Sequence, residues 1–270
     1  VGVLLILADA FDHVVDSKFW HFFDTSHVGF NLPFGLSKFI VLEIMAALLV
    51  LAIFVPLCRR MKNGDLPRGM WDNWFEGHLT FIRDRIVKPN IGEHDMYKYL
   101  PFFWTLFLFI LFCNLLGMIP YMGSPTASLA VTGVLALIAF FAIHGAAIYH
   151  QGFGHYIKHH FPHIDAPFGL GIPIGLLIFF IEILGHFIKA FVLAVRLFAN
   201  MFAGHLVLAF IMSFIVMAKA LSLGFWPISI MSVAMIVALS LLELFVAFLQ
   251  AYVFTYLTAL FMGTALHPAH

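Results

Sequence analysis

The stretch VLAVRLFANMFAGHLVLAF, residues 192–210, decides how this chain folds. It carries one permanent charge, Arg196, in otherwise apolar sequence. Asn200 and His205 follow, and no acid lies near it in the chain. The surroundings are equally apolar. From Ile174 to Leu221 no proline interrupts the run, and a second apolar segment extends from about 226 to 262, after SLGFWP at 222–227. A helix over the first run would reach ~70 Å, against a hydrocarbon layer of ~30 Å. It must either break at a glycine or lie steeply tilted. The second segment is also too long to stand upright. Two adjacent over-long helices predict a long, tilted hairpin, a shape able to curve around another object.

Composition agrees with a membrane setting. The chain has 270 residues, 63% of them hydrophobic and only 10% charged, with a mean hydropathy of +1.01. Soluble domains carry about a quarter charged residues, so this is an integral membrane protein. The zero net charge gives no hint of a nucleic-acid partner, and 33 phenylalanines suit lipid-facing helices. Two cysteines, Cys58 and Cys113, make no disulfide framework and read as inert thiols. The chain opens on Val1, which fits either removal of a targeting segment or a later start.

The expected class is an all-α integral membrane protein with about five membrane helices and one interfacial amphipathic helix. Residues 1–38 form a polar to amphipathic N-terminal segment. Residues 39–168 hold the first membrane helices, near 39–58, 102–119 and 126–149, with a basic loop at 59–98 and a His-rich link at 150–163. Residues 169–270 form the hairpin. Within the basic loop, WFEGHLTFIRDRIVK at 74–88 reads as the interfacial helix. Eight of the 14 Lys and Arg fall in 59–98, which places that loop inside. The 150–168 link and the C-terminus then share its side.

The hairpin's polar groups set the chemistry. An arginine near the bilayer centre costs about 2.5–3.5 kcal/mol on insertion scales, and it stays charged because a guanidinium does not give up its proton in proteins. Arg196 lies more than 20 residues from either end of its segment, too deep to snorkel. A fold-back centred near Gly224 aligns Arg196 with Gln250, and His205 with Glu243 ~10–13 Å further outward. Glu182 and His186, spaced i,i+4 on one face, lie on the inner side. Two titratable clusters therefore flank a fixed cation that repels a proton moving straight through. Protons must leave one half-path, ride a mobile carboxylate, and re-enter the other. This chain has no acid free to move in that way, so the carrier, and the missing partner of Arg196, belong to another subunit.

At these residues the sequence closely resembles subunit a of the rotary F-type ATP synthase, the stator proton-channel family. The matching stretches are RLFANMFAGHL at 196–206, LLELFVAFLQAYVFT at 241–255, FWTLFLFILFCNLLGMIP at 103–120 and FIRDRIVKPNIG at 81–92. The resemblance covers roughly 40–265. It implies that Arg196 is the stator arginine, Gln250 its companion, His205 and Glu243 the outer half-channel pair, Glu182 the acid at the inner exit, and Asn200 a channel-lining residue. It implies partnership with a ring of c subunits and with peripheral-stalk and accessory stator subunits, and no cofactor. The order of His205 and Glu243 looks like the mitochondrial version, so the expected location is the mitochondrial inner membrane, with a bacterial plasma membrane as the alternative.

Two other readings compete. His155, His159 and His160 spell H-x-x-x-H-H, like one box of a di-metal membrane oxidase, and could share a zinc ion. Such an oxidase needs several boxes, and one is present. A self-contained proton-coupled transporter would show an internal repeat or paired broken helices, and the hairpin has no counterpart in the first half. Asn114 and Gly117 read as helix-packing residues.

Overall fold

The computed structural model describes residues 19–21, 29–31, 37–62, 69–119, 123–154, 156, 171–218 and 225–267. His155, His159 and His160 lie outside them, as does most of the N-terminal segment. A two-stranded antiparallel ribbon, β1 (Phe19–His21) with β2 (Gly29–Asn31), is the departure among the described residues from an all-helical chain.

Among the described residues, five helices are long and apolar enough to cross a membrane. They are α1 (Lys38–Lys62), α4 (Met96–Gly117), α5 (Leu129–Gln151), α6 (Gly171–Ala218) and α7 (Phe225–Leu266). The interfacial segment is α2 (Met70–Ile82), a π-helical turn (Arg83–Val87) and the short α3 (Lys88–Ile91). The fold is thus all-α at the level of its membrane elements, as the sequence implies.

α4 is apolar around its whole circumference, the pattern of a helix enclosed by others. Its most apolar stretch is 61% buried, against 6% for that of α6, so α4 is the axis and α6 lies at the flank. Phe103, Phe107 and Ile110 of α4 form the centre of a core that Leu197 of α6 and Phe254 of α7 complete. The interfacial segment presses Leu79, Ile82, Ile86, Val87 and Ile91 into this core, while Glu76, Asp84 and Arg85 stay exposed. Trp104 Nε1 of α4 donates to the Leu79 carbonyl at 3.0 Å, tying the two together.

One carboxylate checks the topology. Asp95 Oδ2, just before α4, lies 3.6 Å from His150 Nε2 at the end of α5 and 3.5 Å from His267 Nε2 after α7. Gln151 Nε2 also donates to the Ala265 and Leu266 carbonyls, at 2.9 and 3.2 Å. The basic loop, the end of α5 and the C-terminus therefore share one end of the molecule, as the charge distribution requires.

The hairpin's first arm could have broken at a glycine. Instead α6 is one continuous helix of 48 residues. It exceeds the hydrocarbon thickness by about twofold, so it cannot cross upright and remain within the bilayer.

Candidate functional site

α6 and α7 run antiparallel, and their facing polar residues meet inside the seam. His205 Nδ1 lies 3.0 Å from Glu243 Oε1, with side chains only 12% and 6% exposed. The distance is that of an ion pair without the alignment of a hydrogen bond. Glu243 Oε1 and His205 Nε2 thus keep hydrogen-bonding capacity that no described residue meets. A short way inward, Asn200 Nδ2 donates to Gln250 Oε1 at 2.8 Å. Gln250 is 1% exposed, and its Nε2 is likewise buried without a hydrogen-bond partner among the described residues.

Arg196 is placed differently. The expected alignment set it opposite Gln250, but the Gln250 side-chain carbonyl accepts from Asn200, one turn further outward. Arg196 itself is exposed on the hairpin's flank. The reason is angular: at ~100° per residue, Arg196 sits about 100° around α6 from the adjacent Leu197, and Leu197 is fully buried in the core. The seam turns Leu197 inward and Arg196 outward.

On the inner side, Glu182 lies on α6, with its side chain outside the described ones. His186 is half-buried, its ring 5.1 Å from that of His144 on α5. Lys189 Nζ stands 5.1 Å from the Phe261 ring centre on α7. His144, His186, Lys189 and Phe261 line a small cavity between the three helices, together with Phe140 and Leu193. No set of three His, Cys, Asp or Glu side chains able to hold a metal occurs among the described residues.

Sequence reasoning missed two supports of the site. A Cβ added to Gly204 would lie 3.0 Å from Glu243 Oε1, so this glycine makes the room that the carboxylate fills. No local signal in the sequence marks it. The second support is a buried chain of polar groups. Ser124 Oγ meets Thr126 Oγ1 at 2.7 Å, Thr126 Oγ1 donates to Asn114 Oδ1 at 2.7 Å, and Asn114 Nδ2 donates to the Ala247 carbonyl at 3.1 Å. It fixes α7 to α4 midway between Glu243 and Gln250. Asn114 thus joins helices, consistent with a packing role, and the close approach of Ser124 to Gly117 leaves no space for a side chain there.

The arrangement can hold a proton at a buried imidazole–carboxylate pair, and it presents a permanent cation to whatever covers the hairpin's flank. Comparison with known proteins bears on what that is. The family described as ATP synthase A chain matches residues 40–263. ATP synthase subunit a of Myxococcus xanthus is 41% identical over 239 residues, 88% of this chain and 75% of its own length. The Chloroherpeton thalassium subunit is 36% identical, covering 97% of this chain and 78% of its own, and that of Parvibaculum lavamentivorans is 36% identical, covering 82% of each. These relatives are bacterial, and they give no support to the mitochondrial inner membrane expected from the order of His205 and Glu243. The order is a poor guide because an exchange across an antiparallel seam leaves the same pair in contact. The match runs through both arms of the hairpin and the helices that support them: this chain belongs to the ATP synthase A chain family, subunit a of the F-type ATP synthase.

Proposed function

We propose that this chain is the stator half of a rotary proton path in a bacterial plasma membrane, with its partner a ring of c subunits seated against the Arg196 flank. Membership of the family makes it a membrane-sector, proton-translocating subunit; the route below is our reading. A proton enters from the outer side through His205 and Glu243 and neutralises a c-subunit carboxylate. The neutral site turns away into lipid. After nearly a full turn it reaches the inner path near Glu182 and His186 and releases its proton. Asn200 and Gln250 line the approach, and the Gln250 amide has a donor to offer an arriving carboxylate. Peripheral-stalk and accessory subunits hold the chain against rotation.

Arg196 acts as the separator. A guanidinium ~4 Å from a carboxylate in a partly polar setting is worth ~4 kcal/mol, about three pKa units. That keeps the returning carboxylate ionised and bars direct passage between the two half-paths. Each charge crossing the membrane yields ~2.3 kcal/mol per 100 mV, so several protons must cross per ATP, and catalysis belongs to a separate soluble sector. The observation that carries this reading is the pairing of a buried His205–Glu243 couple with an exposed Arg196 on the same hairpin.

The test is ATP-driven proton pumping by the whole complex in inverted membrane vesicles. Arg196→Ala is expected to abolish pumping while ATP hydrolysis by the soluble sector survives. Arg196→Lys is expected to fail as well, because a lysine loses the planar fork and can give up its proton. Normal coupled pumping in Arg196→Ala refutes the role. A self-contained transporter would instead move protons when the chain is reconstituted alone.

A further inference from the structure

The inner half of the proposed route ends, in sequence terms, at Glu182 and His186. The fold brings a second histidine there from another helix. His144 of α5 stands with its ring 5.1 Å from that of His186, the two planes at 65°. That is close enough for proton exchange directly or through one water. On its other side His144 Nδ1 lies 2.7 Å from the Tyr156 hydroxyl. Tyr156 follows the end of α5 at Gln151 and is half-buried. His150, six residues beyond His144, already lies at the inner end with Asp95 and His267. His144 is therefore about 9 Å inside that end, and Tyr156 carries its hydrogen bonds on from the end of the helix.

We infer that His144 and Tyr156 extend the inner proton path, as a relay joining His186 to the aqueous inner face. This rests on the proton-transfer reading above and names further members of the same path. An imidazole suits the task because it takes a proton on one ring nitrogen and releases one from the other. In the outward-pumping direction the Tyr156 hydroxyl hands its proton to His144 Nδ1 and takes a replacement from water. His144 passes a proton from Nε2 to His186, and rotation of the neutral groups resets the chain. One proton enters and one leaves. Among the described residues, the charged and titratable groups facing His144 are His186 and Lys189 from α6 and Tyr156 beyond its own helix. α7 contributes Phe261 and Thr264 to the shared cavity. The Lys189 ammonium beside the path disfavours two protonated imidazoles at once, so protons pass singly.

The test uses inverted vesicles containing the whole membrane complex, stripped of the soluble sector, with an imposed potential drawing protons in from the bath that faces the inner side. The native rate should bend downward as bath pH rises through about 6.5, the ordinary histidine range. His144→Gln keeps a hydrogen-bonding group but cannot carry a proton. It should lower the rate about tenfold near neutral pH, the scale of one lost acid–base group, and remove the bend. Tyr156→Phe, a milder change, should also lower the rate and move the bend, because the group holding His144 Nδ1 is gone. Unchanged rate and bend in both variants overturn the relay, and so does a lower rate with the bend intact, which marks a packing role. Arg196→Ala, assayed for ATP-driven pumping in vesicles that keep the soluble sector, separates the two ideas. If it still pumps normally, the stator reading falls. If it fails while His144→Gln conducts as the native chain does, the relay alone falls.

Discussion

At the scale of single residues, the outer site depends on a group that is absent. Gly204 leaves its Cβ position to the Glu243 carboxylate, whose Oε1 would lie 3.0 Å from an added methyl. The carboxylate must then shift by a few tenths of an ångström against His205, which is itself buried. Gly204→Ala should slow proton pumping several-fold without loss of the subunit from the membrane, and Gly204→Val should slow it further; equal pumping in all three chains would show that the carboxylate has slack. The pair itself is testable by exchange. Breaking a buried ion pair by removing one partner costs about 3–5 kcal/mol. His205→Glu and Glu243→His made together should therefore harm pumping less than either alone, and a loss equal to the sum of the singles would argue that the two do not act as a pair. The contact of His205 with Glu243 was legible in the sequence because an antiparallel fold-back fixes which positions face each other. Gly204 was not, since a glycine in an apolar run reads the same whether it faces a carboxylate or open space, as Gly185 does. His144 is illegible as a relay for a similar reason: its partner His186 lies on a helix far away in the chain.

At the scale of elements, length was the readable quantity and continuity was not. An apolar run of this size could have been one helix or two, because a glycine tolerates either, and no local signal separates them. Tertiary contact resolves it: α6 passes unbroken along α5 and α7, burying Leu193, Leu197 and Met201 in sequence. The interfacial helix was readable from its basic face, whereas its depth was not. It packs directly under α7, where a Cβ on Gly263 would collide with the Asn90 carbonyl of α3. That neighbour is backbone and cannot rotate away. Elsewhere in a helix, Gly→Ala favours folding by up to about 1 kcal/mol, but overpacking costs typically ~1–3 kcal/mol. Gly263→Ala should therefore lower the amount of assembled subunit in the membrane, by immunoblot of purified complexes, whereas Gly145→Ala, with nothing near its Cβ position, should not. Equal amounts of both would mean that α3 and α7 do not meet so closely in the membrane.

At the scale of the whole molecule, the question is what covers the hairpin. Lys189, Val192, Arg196, Ala203, Val207 and Phe210 are all exposed, and all lie within about 40° of the Arg196 direction at ~100° per residue. They form one stripe about 30 Å long, with polar groups at its inner end and centre and apolar ones at its outer end. Lipid alone is a poor cover for such a stripe, because a central guanidinium in hydrocarbon is costly. A rotor whose helices are apolar apart from one carboxylate each matches it, with the carboxylates passing at the level of Arg196. Other exposed apolar positions, such as Leu48 on α1 at 57% and Phe141 on α5 at 67%, have no charge within two turns of them on the same stripe and suit lipid. Cysteines at Val192 and Val207 should therefore crosslink under mild oxidation to a cysteine placed beside the c-subunit carboxylate, and the crosslinks should block rotation-coupled pumping until reduced. Cysteines at Leu48 and Phe141 should form none. The contrast matters because all four positions are comparably accessible in the isolated chain, so only the seating of the rotor can sort them. Crosslinks from Leu48 or Phe141, with none from Val192 or Val207, would put the rotor on another face and leave Arg196 without the partner that its charge demands.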